Sequence, residues 1–192
     1  MNPKLTPVID EILLTFRRKG QERYAQEDVT QMEHALQTAA LAQSQHAAPT
    51  LVCAALLHDL GHMLNETQMP QQFKDDLHDH HEEKGYQFLR NHFGDAVAEP
   101  VRLHVAAKRY LCTTEPNYEL QLSTTSLKSY QDQGGRMTPE EQRLFEQNPY
   151  YRESLDLRRW DDEAKVNGKL VPTLATYLPL LEGCLLNSNQ PR

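Results

Sequence analysis

The stretch Leu51-Val-Cys-Ala-Ala-Leu-Leu-His-Asp-Leu-Gly-His62 decides how the chain folds. An unbroken apolar run is core, and Pro49 just ahead of it suits the first turn of a helix. The run ends in two adjacent ligand-type side chains, His58 and Asp59. Burying an imidazole beside a carboxylate is costly unless something binds them, and a metal ion is the usual occupant. On a helix of 3.6 residues per turn, His58 and His62 share a face, with Asp59 about 100 degrees away, near enough to line the same pocket. A carboxylate has two oxygens, so Asp59 can bridge two metals. Gly61 is expected to close the helix.

Outward from this run the pattern stays helical, and strand-like alternation is hard to find. An opening helix is expected over Thr6 to Lys19, with Val8, Ile9, Ile12, Leu13 and Phe16 on one face and Gly20 at its end. A polar connection, Gln21 to Asp28, leads to a helix over Val29 to His46, where Thr30-x-x-Glu33 reads as a capping box. Further helices are expected over His78 to His92, closed by Gly94, and over Ala96 to Leu111. Cys112 to Tyr151 is the least regular segment. It holds a short helix around Thr124 to Gln133 and a second capping box at Thr138-Pro-Glu-Glu141. Tyr151 to Val166 and Pro172 to Leu186 complete an all-α, single-domain bundle over residues 1–192.

Bulk properties narrow the function. With 192 residues, one domain with a real core is the default. A mean hydropathy of −0.70 is polar without being disordered. No run approaches the 18 or so apolar residues that a membrane span needs, and Met1-Asn-Pro-Lys-Leu-Thr-Pro7 lacks a signal-peptide core. Cys53, Cys112 and Cys184 are far apart and odd in number, which argues against a disulfide framework or a Cys-rich zinc site. These features together read as a cytoplasmic protein. A net charge of −7 argues against nucleic acid as a partner. A small anionic substrate remains compatible where a few cations converge.

Candidate ligands recur at wide intervals on five expected helices: His34, His58-Asp59, His80, His104 and Asp161. A lone helical histidine is usually a satisfied core or surface residue, and His46, His78, His81 and His92 are assigned to that class. His81 adjoins His80, however, and on the residues alone either could be a ligand. Convergence of such residues inside a helical bundle is how carboxylate–histidine dimetal sites are built. Imidazole and carboxylate without thiolate suit iron, manganese or zinc.

The order H…HD…D resembles the HD-domain superfamily, whose helical bundle holds metals at the His-Asp pair and whose members are mostly phosphohydrolases. Two histidines between the pair and the final aspartate resemble its dimetal subset. A narrower resemblance rests on Tyr24, Glu27, His34, His58-Asp59-x-Gly-His62, His80, His104-x-x-x-Lys108, the Ser126 region and Arg158-Arg-Trp-Asp161-Asp-Glu-Ala-Lys165. These look like the mixed-valent di-iron oxygenases, in particular their phosphonate-cleaving branch. Related inositol oxygenases carry a lysine where this chain has His62, which counts against inositol as substrate. The resemblance implies two iron ions. One is held by His34, His58, Asp59 and Asp161, the other by Asp59, His80 and His104, with Tyr24 capping the second before substrate arrives and Glu27 moving with it.

Lys108, four residues after His104, and Arg158, three before Asp161, place two cations beside two ligands. The ordinary alternative for each is charge neutralisation or a surface ion pair. His62 is expected to donate to substrate, and Ser126 to offer a hydroxyl and backbone N–H groups to an anion, with Thr124 or Thr125 as substitutes. Gln133 is a further candidate, and Trp160 is expected to pack. The resemblance implies that dioxygen is used to cleave the carbon–phosphorus bond of 2-amino-1-hydroxyethylphosphonate, giving glycine and inorganic phosphate. It also implies an upstream hydroxylase of aminoethylphosphonate. Two rival readings remain. One is a metal-dependent phosphohydrolase acting on a nucleotide or other phosphate ester. The other is a degenerate module that binds a phosphorylated ligand.

Overall fold

A computed structural model describes residues 6–65 and 80–186. The chain forms helices α1 (Pro7–Lys19), α2 (Gln31–Ser44), α3 (Pro49–Leu57), α4 (Leu60–Met63), α5 (His81–Phe93) and α6 (Asp95–Thr114). These are followed by α7 (Tyr118–Gln121), α8 (Thr124–Asp132), α9 (Pro139–Glu146), α10 (Tyr151–Glu163), a 3₁₀ turn (Leu174–Tyr177) and α11 (Leu178–Gly183). Among the described residues the extended pairing is one isolated bridge, Arg23 to Thr30. The start expected at His78 lies outside the described residues.

Helix α3 is the axis of the bundle. Every residue from Leu51 to Leu57 is buried, as a helix apolar on all sides must be. α2, α6 and α10 pack around it, and α5 packs along α6. Fully burying a leucine-sized side chain contributes roughly 1.5–3 kcal/mol. The apolar run therefore offsets the cost of the polar pair at its end. Both expected capping boxes form: Thr30 accepts from the Glu33 N–H while Glu33 bonds back to Thr30 N, and Thr138 pairs with Glu141 in the same way. Trp160 packs in the main core, as expected.

Two glycines have sharper roles than helix ends. Gly94, at φ +77° and ψ 179°, is the single residue between α5 and α6. That conformation is essentially restricted to glycine. Gly61 was expected to close the helix of the His-Asp pair. That helix instead ends at Leu57, and Gly61 lies inside the next short helix. Its physical role is close approach: a Cβ there would stand 1.9 Å from the His81 carbonyl oxygen and 3.0 Å from Gly85 N. Gly61→Ala must push α4 and α5 apart. A loss of about 1–3 kcal/mol is expected, the usual cost of overpacking. Thermal melting should show it as a midpoint lower by several degrees, and an unchanged midpoint would refute the close-packing role.

The break between α3 and α4 also corrects the shared face expected for His58 and His62. His58 caps α3, and Asp59 leaves helical geometry at φ −100° and ψ 11°. The pair thus sits in a corner rather than mid-helix.

Candidate dimetal centre

Among the described residues four imidazoles bring Nε2 within 3.6 Å of an Asp59 oxygen. His34 comes from α2, His58 from the α3–α4 corner, His81 from the first position of α5 and His104 from mid-α6. The ring orientations are fixed from behind. Nδ1 of His34 lies 2.9 Å from the Ala164 carbonyl, that of His58 2.9 Å from the Ala55 carbonyl, and that of His104 2.6 Å from the Val101 carbonyl. Nδ1 of His81 lies 3.5 Å from a Glu82 carboxylate oxygen. A carbonyl can only accept, so Nδ1 of His34, His58 and His104 carries the proton and Nε2 faces inward.

The inward nitrogens form two pairs. Nε2 of His34 and Nε2 of His58 are 3.1 Å apart, and Nε2 of His81 and Nε2 of His104 are also 3.1 Å apart. Asp59 stands between them. Its Oδ2 is 3.2 Å from His58 Nε2 and 3.5 Å from His34 Nε2, while its Oδ1 is 3.5 Å from His81 Nε2 and 3.6 Å from His104 Nε2. Asp161 joins the first pair, with Oδ1 3.2 Å from His34 Nε2. Asp59 Oδ2 and Asp161 Oδ1 are buried and have no hydrogen-bond partner. Inward lone pairs packed this closely repel unless a cation lies among them. Bonds of about 2.1 Å to one ion put neighbouring donors roughly 3–3.5 Å apart. The donor set therefore fits two metal ions bridged by Asp59.

Buried imidazoles and carboxylates this close also shift one another's protonation. Burial disfavours an imidazolium at His34, but Asp161 and Asp59 outweigh it and hold its pKa up to about 9. At His104 burial prevails and lowers the pKa to about 4, leaving a neutral ring able to bind metal. Burial likewise opposes the charges of Asp59 and Asp161. Nearby His58 and Arg158 respectively lead the groups that keep these carboxyls well below the usual range.

One ligand assignment changes. His80 was expected to bind the second metal, but the structure places the neighbouring His81 against Asp59 and His104. His81 opens α5 on the side that touches Gly61, and this turns its ring into the centre. His80 is the residue before the helix and lines the adjacent cavity. His62 stacks on His81 with ring centroids 3.8 Å apart, and its Nε2 is 3.9 Å from Asp59 Oδ1.

The cavity opens on this centre with a volume of about 790 Å³. Tyr24, expected to cap the second metal, stacks on the ring of His34, a residue assigned to the first, at 3.9 Å between centroids. Burial, then Asp59 and Asp161, push its phenol well above the ordinary pKa. Glu27 accepts a 2.5 Å hydrogen bond from Ser123 Oγ, which ties the Tyr24 loop to α8.

Opposite lie the cations. Lys108 is buried, and its Nζ donates to Ser129 Oγ at 2.7 Å. Burial, then Arg158, lower its pKa to about 7. Arg158 lines the cavity but is also tied to two carboxylates. Nη1 donates to Asp161 at 2.6 Å, Nε donates to Asp162 at 3.0 Å, and Nη2 also meets Asp162. Much of its charge is thus balanced within the protein. Ser126 and Thr125 line the cavity, but the Ser126 N–H is spent on the Ser123 cap at 3.1 Å. The backbone donor expected from Ser126 is therefore engaged, and its hydroxyl remains. Gln133 reaches the cavity, with a buried Oε1 that has no hydrogen-bond partner. The contacts of Ser123, Ser129 and Asp162 were missed in the sequence, because a serine or an acidic residue on a helix carries no distinctive spacing.

Residues 32–147 match the HD domain. The chain is 48% identical over 169 residues to the hydroxymethylphosphonate dioxygenase of Gimesia maris, covering 88% of this chain and 84% of that one. It is 39% identical over 168 residues to the [1-hydroxy-2-(trimethylamino)ethyl]phosphonate dioxygenase (glycine-betaine-forming) of Leisingera caerulea, covering 87% and 85%. The chain belongs to the HD-domain family. Within that family it groups with the phosphonate dioxygenases, which agrees with the resemblance found in the sequence and with a metal cofactor at the His/Asp cluster.

Proposed function

We propose that the chain is a di-iron dioxygenase that cleaves the carbon–phosphorus bond of a 1-hydroxyalkylphosphonate. The observation that carries this reading is the pair of imidazole clusters sharing Asp59, set beside the buried Lys108 in a chain related to phosphonate dioxygenases. His34, His58, Asp59 and Asp161 would hold the first iron, and Asp59, His81 and His104 would hold the second. When bound, the irons supply Lewis acidity and the electrons that make dioxygen reactive.

The residues of the chain do the rest. Lys108 and the Ser126 hydroxyl bind the phosphonate through charge-assisted hydrogen bonds, each contributing about 1.5–3 kcal/mol. Arg158 adds its remaining N–H groups. His62, which lines the cavity beside Asp59, positions the alcohol. Tyr24 closes the centre to water until substrate takes its place. The stoichiometry balances with one dioxygen: the alcohol carbon leaves as a carboxylate and phosphorus as phosphate, each gaining one oxygen.

The substrate is taken to be 2-amino-1-hydroxyethylphosphonate, which gives glycine and is supplied by a hydroxylase acting on aminoethylphosphonate. A cavity of about 790 Å³ bearing Glu27 has room and a carboxylate for the ammonium group. Hydroxymethylphosphonate, the compound in the name of the Gimesia maris relative, is the smaller member of the same class. The test incubates iron-loaded protein with each compound, in air and without oxygen. Phosphate release that requires oxygen, with glycine formed from the amino compound, is the expected result. No release from either compound with both irons bound would sink the proposal. Oxygen-independent phosphate release from a nucleotide or other phosphate ester would establish the hydrolase reading instead.

A further inference from the structure

We infer that Lys165 is a positioning residue that acts through Ser126 to make the anion subsite selective for a doubly charged oxyanion. The inference rests on the proposed function only for the identity of that anion. Lys165 lies just beyond α10 and its side chain is 10% exposed, so its ammonium group is largely out of water. Nζ donates to Ser126 Oγ at 2.7 Å, while the carboxylate oxygen Asp162 Oδ1 stands 3.6 Å away. That carboxylate already takes Arg158 and the Tyr118 hydroxyl. The hydrogen-bond partner of Lys165 is therefore a neutral hydroxyl on the cavity wall.

The hydroxyl orientations follow. Ser129 Oγ accepts from Lys108 and donates to the Ser126 carbonyl at 3.1 Å, so its one proton is spent. Ser126 Oγ accepts from Lys165, and among the described residues its own proton has no acceptor. A hydroxyl that accepts from an ammonium is both fixed in rotation and polarised as a donor. Lys165 thus makes Ser126 a directed donor without touching the cavity itself.

Donor strength sets the selectivity. Lys108 and the Ser126 hydroxyl are donors on this wall, and the second is strengthened by the hydrogen bond it accepts from Lys165. A doubly charged oxyanion accepts more strongly from a strengthened donor than a monoanion of the same shape does, so the Lys165 contact favours the dianion.

Methylphosphonate, titrated above its second ionisation, and methanesulfonate are non-reacting probes of similar shape and different charge. Calorimetric titration of the metal-loaded protein gives the ratio of their affinities. In Lys165→Met that ratio is expected to fall about tenfold or more, the size of one lost charge-assisted hydrogen bond. Lys165→Arg should restore most of it. In a Ser126→Ala background, Lys165→Met should change the ratio by less than about twofold, because coupled residues are not additive. Equal weakening of both anions, an unchanged ratio, or additive effects in the double variant would each overturn the inference. Turnover is not read, so a chain that binds with this selectivity but oxidises no phosphonate would fail the proposed function alone. Loss of selectivity control with oxygenase activity intact would fail this inference alone.

Discussion

Asp59→Asn is expected to abolish oxygen-dependent turnover and to reduce bound metal from two ions per chain to one or none. The reason is the double use of one carboxylate. Oδ2 faces His34 and His58, and Oδ1 faces His81 and His104, all within 3.2–3.6 Å. An asparagine keeps the shape and one acceptor but replaces the other oxygen with an NH₂ donor, and it removes the negative charge that both pairs share. A metal centre contributes several kcal/mol of transition-state stabilisation, and each 1.36 kcal/mol is tenfold in rate, so a loss of about a thousandfold or more follows. Metal analysis, oxygen consumption and circular dichroism on one preparation check it. A folded Asp59→Asn protein that keeps two ions and turns over near the parent rate would refute the bridging role.

Much of the arrangement was legible before the fold was known, because its signals are local. The apolar run from Leu51 marked the buried axis. The capping boxes at Thr30 and Thr138 marked two helix starts. The wide spacing of His34, Asp59, His104 and Asp161 over separate helices pointed to a single convergent site. What was not legible depends on geometry between segments. A helix break of two residues at His58-Asp59 is invisible in a hydrophobic pattern, so His58 and His62 were placed on one face. Gly61 looked like a helix stop because the atom it must avoid, the His81 carbonyl, lies on another helix. Arg158 looked like a substrate cation, and only the fold shows how far Asp161 and Asp162 balance it. The Lys165–Ser126 contact joins residues 39 positions apart, with no periodicity to reveal it.

The adjacent histidines His80 and His81 give the second large effect, and they separate sequence register from fold. His81→Ala is expected to remove the metal held on the His104 side, leave the His34 side able to bind one ion, and lower turnover by about a thousandfold. His80→Ala is expected to keep both ions and to change turnover by less than about tenfold, well below the effect of losing a ligand. The difference follows from the start of α5. His81 is its first residue, 3.1 Å from His104 and 3.5 Å from Asp59 through Nε2, and it is held there by the close contact between its carbonyl and Gly61. His80 precedes that helix with φ −90° and ψ 50°, so its ring leaves the backbone in a different direction. The ring of His81 also carries the stacked His62 at 3.8 Å. Removing it therefore withdraws a ligand and the surface that orients the proposed substrate donor, which predicts a rise in KM on top of the loss in kcat. Metal counting on the two variants decides the matter: one ion in His80→Ala and two in His81→Ala would return the ligand to position 80.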